Sequence, residues 1–244
     1  MNRVDRILFD HIAIGMPTMA DAALFLSGEL GGIPDSGHPS GPFTWGTYRF
    51  EGGGSIEIIE PLGDSGFLQR FLAERGSGIH HVTFKVPSLD DVCARAEEAA
   101  YGVVGRDDSD PTWKEAFLHP KQALGIVVQF AEPGPTQGAA RPVRPPPGVP
   151  SPSPPVTLLG LRMRAQSRER AITQWGTVLQ GTMTDGPLGG LVFKWPGSFM
   201  RLAVEIDAVQ NEGPIAIELS SPRALALPEG PHPVLGAVFK EEEA

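Results

Sequence analysis

Two stretches of this chain, Asp10-His11-Ile12-Ala13-Ile14 and Gly78-Ile79-His80-His81-Val82-Thr83-Phe84, read as strands that each carry a histidine. Each leads into an amphipathic helix and further strands. The last strand of each unit, Ser55-Ile56-Glu57-Ile58-Ile59 and Gly125-Ile126-Val127-Val128-Gln129-Phe130, sets one polar residue among aliphatics. His11 to Glu57 is 46 positions and His81 to Gln129 is 48. Ligand-type side chains in the same places of two similar units point to one metal site shared by a repeat.

The first unit reads as a strand over Ile7 to Ile14, then a helix over Met19 to Gly28 with a capping-box-like start at Thr18 and Asp21. Residues 31 to 42, rich in Gly and Pro, are expected to be a loop. Strands follow at Trp45 to Phe50 and Ser55 to Ile59, joined by the Gly52-Gly53-Gly54 turn. A connecting helix at Ser65 to Glu74 leads to the second unit. There a strand over Ile79 to Val86 precedes a helix started by Ser88 with Asp91, and strands near Val103, Trp113 to Leu118 and Ile126 to Phe130 complete it. Each unit reads as βαβββ.

Strand alternation decides which residues can meet. His80, Val82, Phe84 and Val86 share one face, and His81, Thr83 and Lys85 the other. The apolar set packs under the helices, so His81 faces the open side. Glu57 opposes Ile56 and Ile58, Gln129 opposes Val128 and Phe130, and His11 alternates against Asp10, Ile12 and Ile14. His80 therefore reads as a core residue, and His119, which precedes Pro120, as a turn residue.

Pro133 to Pro155 holds ten prolines and few apolar side chains. Proline fixes φ and removes donors, so this stretch is expected to be an extended linker able to span roughly 70 Å. At 244 residues and 41% hydrophobic content the chain can build one large domain or two; the linker favours two, 1–133 and 156–244, with 134–155 between them. After it the pattern returns, weakened. Val156 to Met163 and Ser167 to Trp175 repeat the first strand and helix at an offset of 149, placing Gly160 where His11 stands. Arg201 falls near the Glu57 position and Ala216 replaces His81. No ligand set survives there, and this half reads as a degenerate partial repeat that covers a sheet face, closes the cup or mediates a homodimer.

The net charge of −9, with no dense run of Lys and Arg, argues against nucleic acid and anionic lipid as partners. No apolar run approaches the roughly 18 residues of a membrane span, and no signal-like N-terminus is present, so the expected location is cytoplasmic. The single cysteine, Cys93, lies among helical residues and reads as a buried small hydrophobe.

Asp10-His11-Ile12-Ala13, Glu57-Ile58-Ile59-Glu60-Pro61, Gly78-Ile79-His80-His81 and Phe117-Leu118-His119-Pro120-Lys121, followed by the Gln129 strand, resemble the vicinal oxygen chelate superfamily. That is the glyoxalase, bleomycin-resistance and extradiol dioxygenase group, and the resemblance is closest to its methylmalonyl-CoA epimerase-like branch. It covers residues 6 to 133. It implies an α+β fold in which paired βαβββ modules form a cupped mixed sheet around one divalent metal, with His11, Glu57, His81 and Gln129 in the ligand positions. Two imidazoles, a carboxylate and an amide oxygen suit Zn, Co, Ni, Mn or Fe. The implied activity is a metal-dependent isomerase or lyase acting through a metal-bound enolate on a small α-oxygenated carbonyl compound or acyl thioester with vicinal oxygens.

Two features depart from the epimerase pattern. Its last-strand ligand is normally a glutamate, here Gln129, and the strand before the hairpin reads Gly46-Thr47-Tyr48-Arg49-Phe50 without the second carboxylate. Proton transfer then falls to Glu57, with Glu115 or Lys114 as partner. The alternatives are a non-catalytic binding protein of the bleomycin-resistance type and, behind it, an extradiol dioxygenase.

Overall fold

The computed structural model describes residues 4–51, 53–134 and 155–242; most of the proline-rich stretch lies outside these residues. The first repeat is β1 (Leu8–Gly15), a helical segment Met19–Ala22 continuing as a π-helical turn Leu24–Glu29, then β2 (Ile33–Ser40), β3 (Phe43–Arg49) and β4 (Ser55–Pro61). α1 (Phe67–Arg75) leads to the second repeat, β5 (Gly78–Lys85), α2 (Leu89–Glu98), β6 (Val103–Asp107), β7 (Trp113–Leu118) and β8 (Val127–Pro133). Both are βαβββ, as the sequence indicates, in one mixed eight-stranded sheet of order β2-β3-β4-β1-β5-β8-β7-β6.

Residues 31 to 42, expected to be a loop, instead supply β2, paired antiparallel to β3 across a bulge between Pro34 and Gly37. An edge strand tolerates proline because one side of its backbone needs no ladder partner. The capping-box reading of Thr18 also changes. Its side chain caps nothing, and the Met19 amide donates to Glu60 Oε2 at 2.6 Å. Glu132 does the same for the second repeat by accepting from the Leu89 amide at 2.8 Å, beside the expected Ser88 cap of Asp91.

The later residues complete a third repeat: β9 (Thr157–Ala165), a helix α3 (Arg168–Ala171) running into a π-helical segment Ile172–Val178, then β10 (Thr182–Asp185), β11 (Leu191–Lys194) and β12 (Arg201–Ile206). β13 (Gly213–Ser220) and β14 (Phe239–Glu241) follow. The second sheet, β10-β11-β12-β9-β13-β14, reproduces the first six positions of the first. The fourth repeat is cut to the equivalents of β5 and β8.

The described residues form two compact units. One takes in 4–10, 81–134 and 160–215. Its core is aromatic: Phe84, fully buried, stacks on Phe9 at 4.9 Å and meets Trp195 at 4.7 Å and Trp175 at 6.0 Å. Arg95 on α2 donates to the Val178 carbonyl at 3.1 Å. The other takes in 11–51, 53–80, 155–159 and 216–242. There the Val156 amide donates to the Leu30 carbonyl, and Phe25 packs on His232 at 4.2 Å and on Phe239 at 4.9 Å. Among the described residues no helix is long and apolar enough to cross a membrane.

Candidate metal centre

β1 runs parallel to β4 with Ala13 opposite Glu57, and Ile12, Ile14, Ile56 and Ile58 are all buried on the other face. That apolar set fixes which way Glu57 points, because a slip of one residue would bury a carboxylate in its place. β5 runs parallel to β8 with Thr83 opposite Gln129, while Val82, Phe84, Val128 and Phe130 fill the core side. His11 and His81 are both buried on the polar faces.

One ligand atom each from His11, Glu57 and His81 lies within 4.8 Å of the other two, and His11 Nε2 is 3.7 Å from Glu57 Oε1. Bonds of about 2.0–2.2 Å to a common ion put its ligand atoms roughly 3–4 Å apart, so small side-chain movements close this set. Two imidazoles and one carboxylate fit a divalent ion of the Zn or Fe type, and the site would carry net positive charge.

Gln129 stands in a hydrogen-bonded chain. Its Nε2 donates to Glu115 Oε2 at 2.7 Å, and Thr83 Oγ1 donates to its Oε1 at 2.6 Å. The carboxylate can only accept, which fixes the amide orientation. Trp113 Nε1 adds a second donor to Glu115 Oε2 at 3.1 Å. An amide oxygen has two lone pairs, so the Thr83 bond leaves one for a cation, and Thr83 and Glu115 orient the group as outer partners orient a ligand.

Of the proton-transfer candidates, Glu115 shares the face of Gln129 and His81. Lys114 does not. It lies opposite Glu132 in the register and pairs with it at 3.2 Å, on the side where Glu132 caps α2. His80 packs against Phe67 and Phe71, and burial, reinforced by Arg75, pushes its pKa down to about 4. His119 accepts from the Lys121 amide in a turn, and burial raises the Cys93 thiol above its ordinary range.

Strict alternation also fails within β1. Asp10 pairs with Lys85 at 2.8 Å on the His81 face, while Phe9 stacks on Phe84 on the opposite face. Asp10 and His11 therefore turn the same way, as at a bulge. The sequence reading missed this, and it missed the part of Thr83 and Trp113. Thr83 was legible as the residue two beyond His81.

Residues 10–117 match the family model for the Glyoxalase/Bleomycin resistance protein/Dioxygenase superfamily. The uncharacterized protein YqjC of Bacillus subtilis is 26% identical over 136 residues, covering 54% of this chain and 94% of that protein. The mitochondrial methylmalonyl-CoA epimerase of Dictyostelium discoideum is 27% identical over 134 residues, covering 50% and 76%. A hypothetical protein from Staphylococcus aureus aligns over 97% of this chain and 99% of its own with a TM-score of 0.64 and 11% identity, a likeness of fold alone.

Proposed function

Because residues 10–117 belong to the glyoxalase, bleomycin resistance and dioxygenase superfamily, we propose that this chain is a metal-dependent isomerase or lyase. Its substrate would be a small α-oxygenated carbonyl compound or acyl thioester. The observation that carries this reading is the His11, Glu57 and His81 cluster. These residues would hold the ion, with the Gln129 amide oxygen as fourth donor. A divalent ion there supplies Lewis acidity, which polarises a chelating carbonyl and lowers the cost of removing the proton on the adjacent carbon.

The chain's own residues do the rest. Glu115 takes that proton, held by Trp113 and Gln129 so that its carboxylate does not have to be reoriented. Thr83 locks Gln129 from the other side. The likeness to a methylmalonyl-CoA epimerase supports an acyl thioester as one substrate class to test. Gln129 favours a second reading, a protein that binds such a ligand without turnover, because an amide at that position cannot itself exchange a proton with substrate.

The test is elemental analysis of the purified chain, then NMR of α-carbon deuterium exchange in 2-oxygenated acids and acyl-CoA thioesters. One divalent ion per chain with exchange in one of these classes is expected. Metal and tight ligand binding without exchange would establish the sequestering protein, and no metal after supplementation would sink both metal readings.

A further inference from the structure

Glu57 and Gln129 hold matching places in the two complete repeats, and strand register shows what stands beside each. Phe117 lies opposite Gln129, and Glu115 lies opposite Ala131, two residues further along β8. Thr47 lies opposite Glu57, and Trp45 lies opposite Ile59, two residues further along β4. Trp45 therefore occupies in the first repeat the place that Glu115 occupies in the second. The third repeat keeps neither feature. Ala13 pairs with Glu57, and Arg162, its counterpart at the offset of 149, pairs with Ala203, so Ala203 stands at the Glu57 place. Continuing the β11–β12 register puts Gly190 at the place of Trp45.

Diagonal neighbours across an antiparallel pair lie roughly 7–8 Å apart, within reach of a long or aromatic side chain. In the second repeat that diagonal is closed, since Gln129 donates to Glu115 at 2.7 Å. In the first repeat it sets an indole beside a carboxylate. Thr47, directly opposite Glu57, is committed elsewhere: its hydroxyl donates to the Ser36 carbonyl at 3.2 Å, accepts from the Ser36 amide at 3.3 Å and meets the Ser36 hydroxyl at 3.1 Å, which pins the bulge of β2.

Trp45 turns to the Glu57 side of the sheet. A Cβ on Gly46 would stand 2.7 Å from Met19 Sδ, so the first helical segment covers the Gly46 side of β3 and leaves the other side to Trp45 and Thr47. On that side Ile59 is buried, and His38, opposite Trp45 in β2, meets its ring edge-on at 4.7 Å. Of the four tryptophans, Trp175 and Trp195 belong to the core and Trp113 donates to Glu115. Trp45 is half-buried, and among the described residues no acceptor receives its indole N–H. A cross-strand contact with His38 uses only part of the ring. What remains is an apolar plane with one polar handle, one diagonal step from Glu57, and such a plane pairs best with another flat ring. The indole only donates, so this place contributes contact and takes no proton.

We propose that Trp45 is a specificity-determining residue, selecting substrates that carry an aromatic group on the carbon next to the chelating oxygens. The ring of the substrate packs on Trp45 while its vicinal oxygens stay at the ligand cluster. This role rests on the metal reading given above, in which His11, Glu57 and His81 form that cluster.

Phenylglyoxylate and pyruvate present the same pair of vicinal oxygens and differ in phenyl against methyl. Isothermal titration of the full chain loaded with zinc, with zinc content measured on the same sample, compares them. Phenylglyoxylate is expected to bind at least about tenfold more tightly. Trp45→Ala, with a native circular dichroism spectrum, should lose most of that preference, and Trp45→Phe, which keeps a ring, should retain it. Trp45→Leu keeps apolar bulk without the plane, should also lose the preference, and decides the matter if Trp45→Ala does not fold. Equal affinity for the two acids in the wild type, or a preference that survives in Trp45→Ala or Trp45→Leu, would overturn the role of Trp45 and leave the metal reading standing. Binding of neither acid by the zinc-loaded chain, or no zinc bound at all, would overturn the metal reading and this role with it.

Discussion

Gln129 and Glu115 are joined by a 2.7 Å bond from amide nitrogen to carboxylate oxygen, and that bond fixes where the Glu115 carboxylate, the proposed proton acceptor, stands on the polar face of β7 and β8. Replacing Glu115 by Gln keeps an oxygen for Trp113 and Gln129 to donate to, so the local structure should persist while the basic group is lost. We expect Glu115→Gln to retain its metal and to lower α-carbon deuterium exchange about 10²–10⁴-fold. Exchange at the wild-type rate would move the acceptor role to Glu57.

His81 tests the metal centre from the other side. It is buried on the polar face of β5, opposite the side that Val82 and Phe84 fill. His81→Ala should leave the circular dichroism spectrum native and remove the ion, because a three- or four-donor chelate loses most of its affinity with one ligand. Full metal occupancy in this variant, measured by elemental analysis, would contradict the assignment.

Much of this was legible in the residues, for a physical reason. Two βαβββ repeats announce themselves through period-two alternation on strands and capped helices, and the same alternation sends His81, Glu57 and Gln129 to a polar face. Local pattern failed where tertiary pairing took over. Residues 31 to 42 look like a loop because Gly and Pro dominate them, yet an edge position accepts both. Thr18 looks like a cap, but Glu60 arrives from 41 positions away and takes the Met19 amide. The Thr83–Gln129–Glu115–Trp113 chain was hidden for the same reason, since register between three strands creates it. Arg201 was placed at the Glu57 position by approximate spacing, and only the β9–β12 register shows that Ala203 stands there.

The later half of the chain contributes to the core of the earlier half. Phe84 meets Trp175 and Trp195, and Phe25 meets His232 and Phe239. A chain ending at residue 134 loses those partners and uncovers large apolar rings. It should bind a hydrophobic dye, elute as aggregate in size-exclusion chromatography and unfold at lower urea than the full chain. A monodisperse fragment as stable as the whole protein would show that these contacts carry little of the stability.

His232 sets the sign of one pH effect. It packs on Phe25, its Nδ1 accepts from the Val234 and Leu235 amides, and partial burial lowers its pKa below the ordinary 6.5. A histidine with a depressed folded pKa stays neutral in the native chain while the unfolded chain takes up a proton. Its contribution is therefore complete above 6.5 and is lost as pH falls through that value toward the folded pKa. His232→Gln removes this group from the proton balance and keeps an acceptor for the Leu235 amide. The fall in urea midpoint between about pH 7.5 and about pH 5.5 should be smaller in the variant than in the wild type, because His80 and other groups supply the rest of the slope. An equal fall in both proteins would show that His232 titrates alike in the folded and unfolded chains.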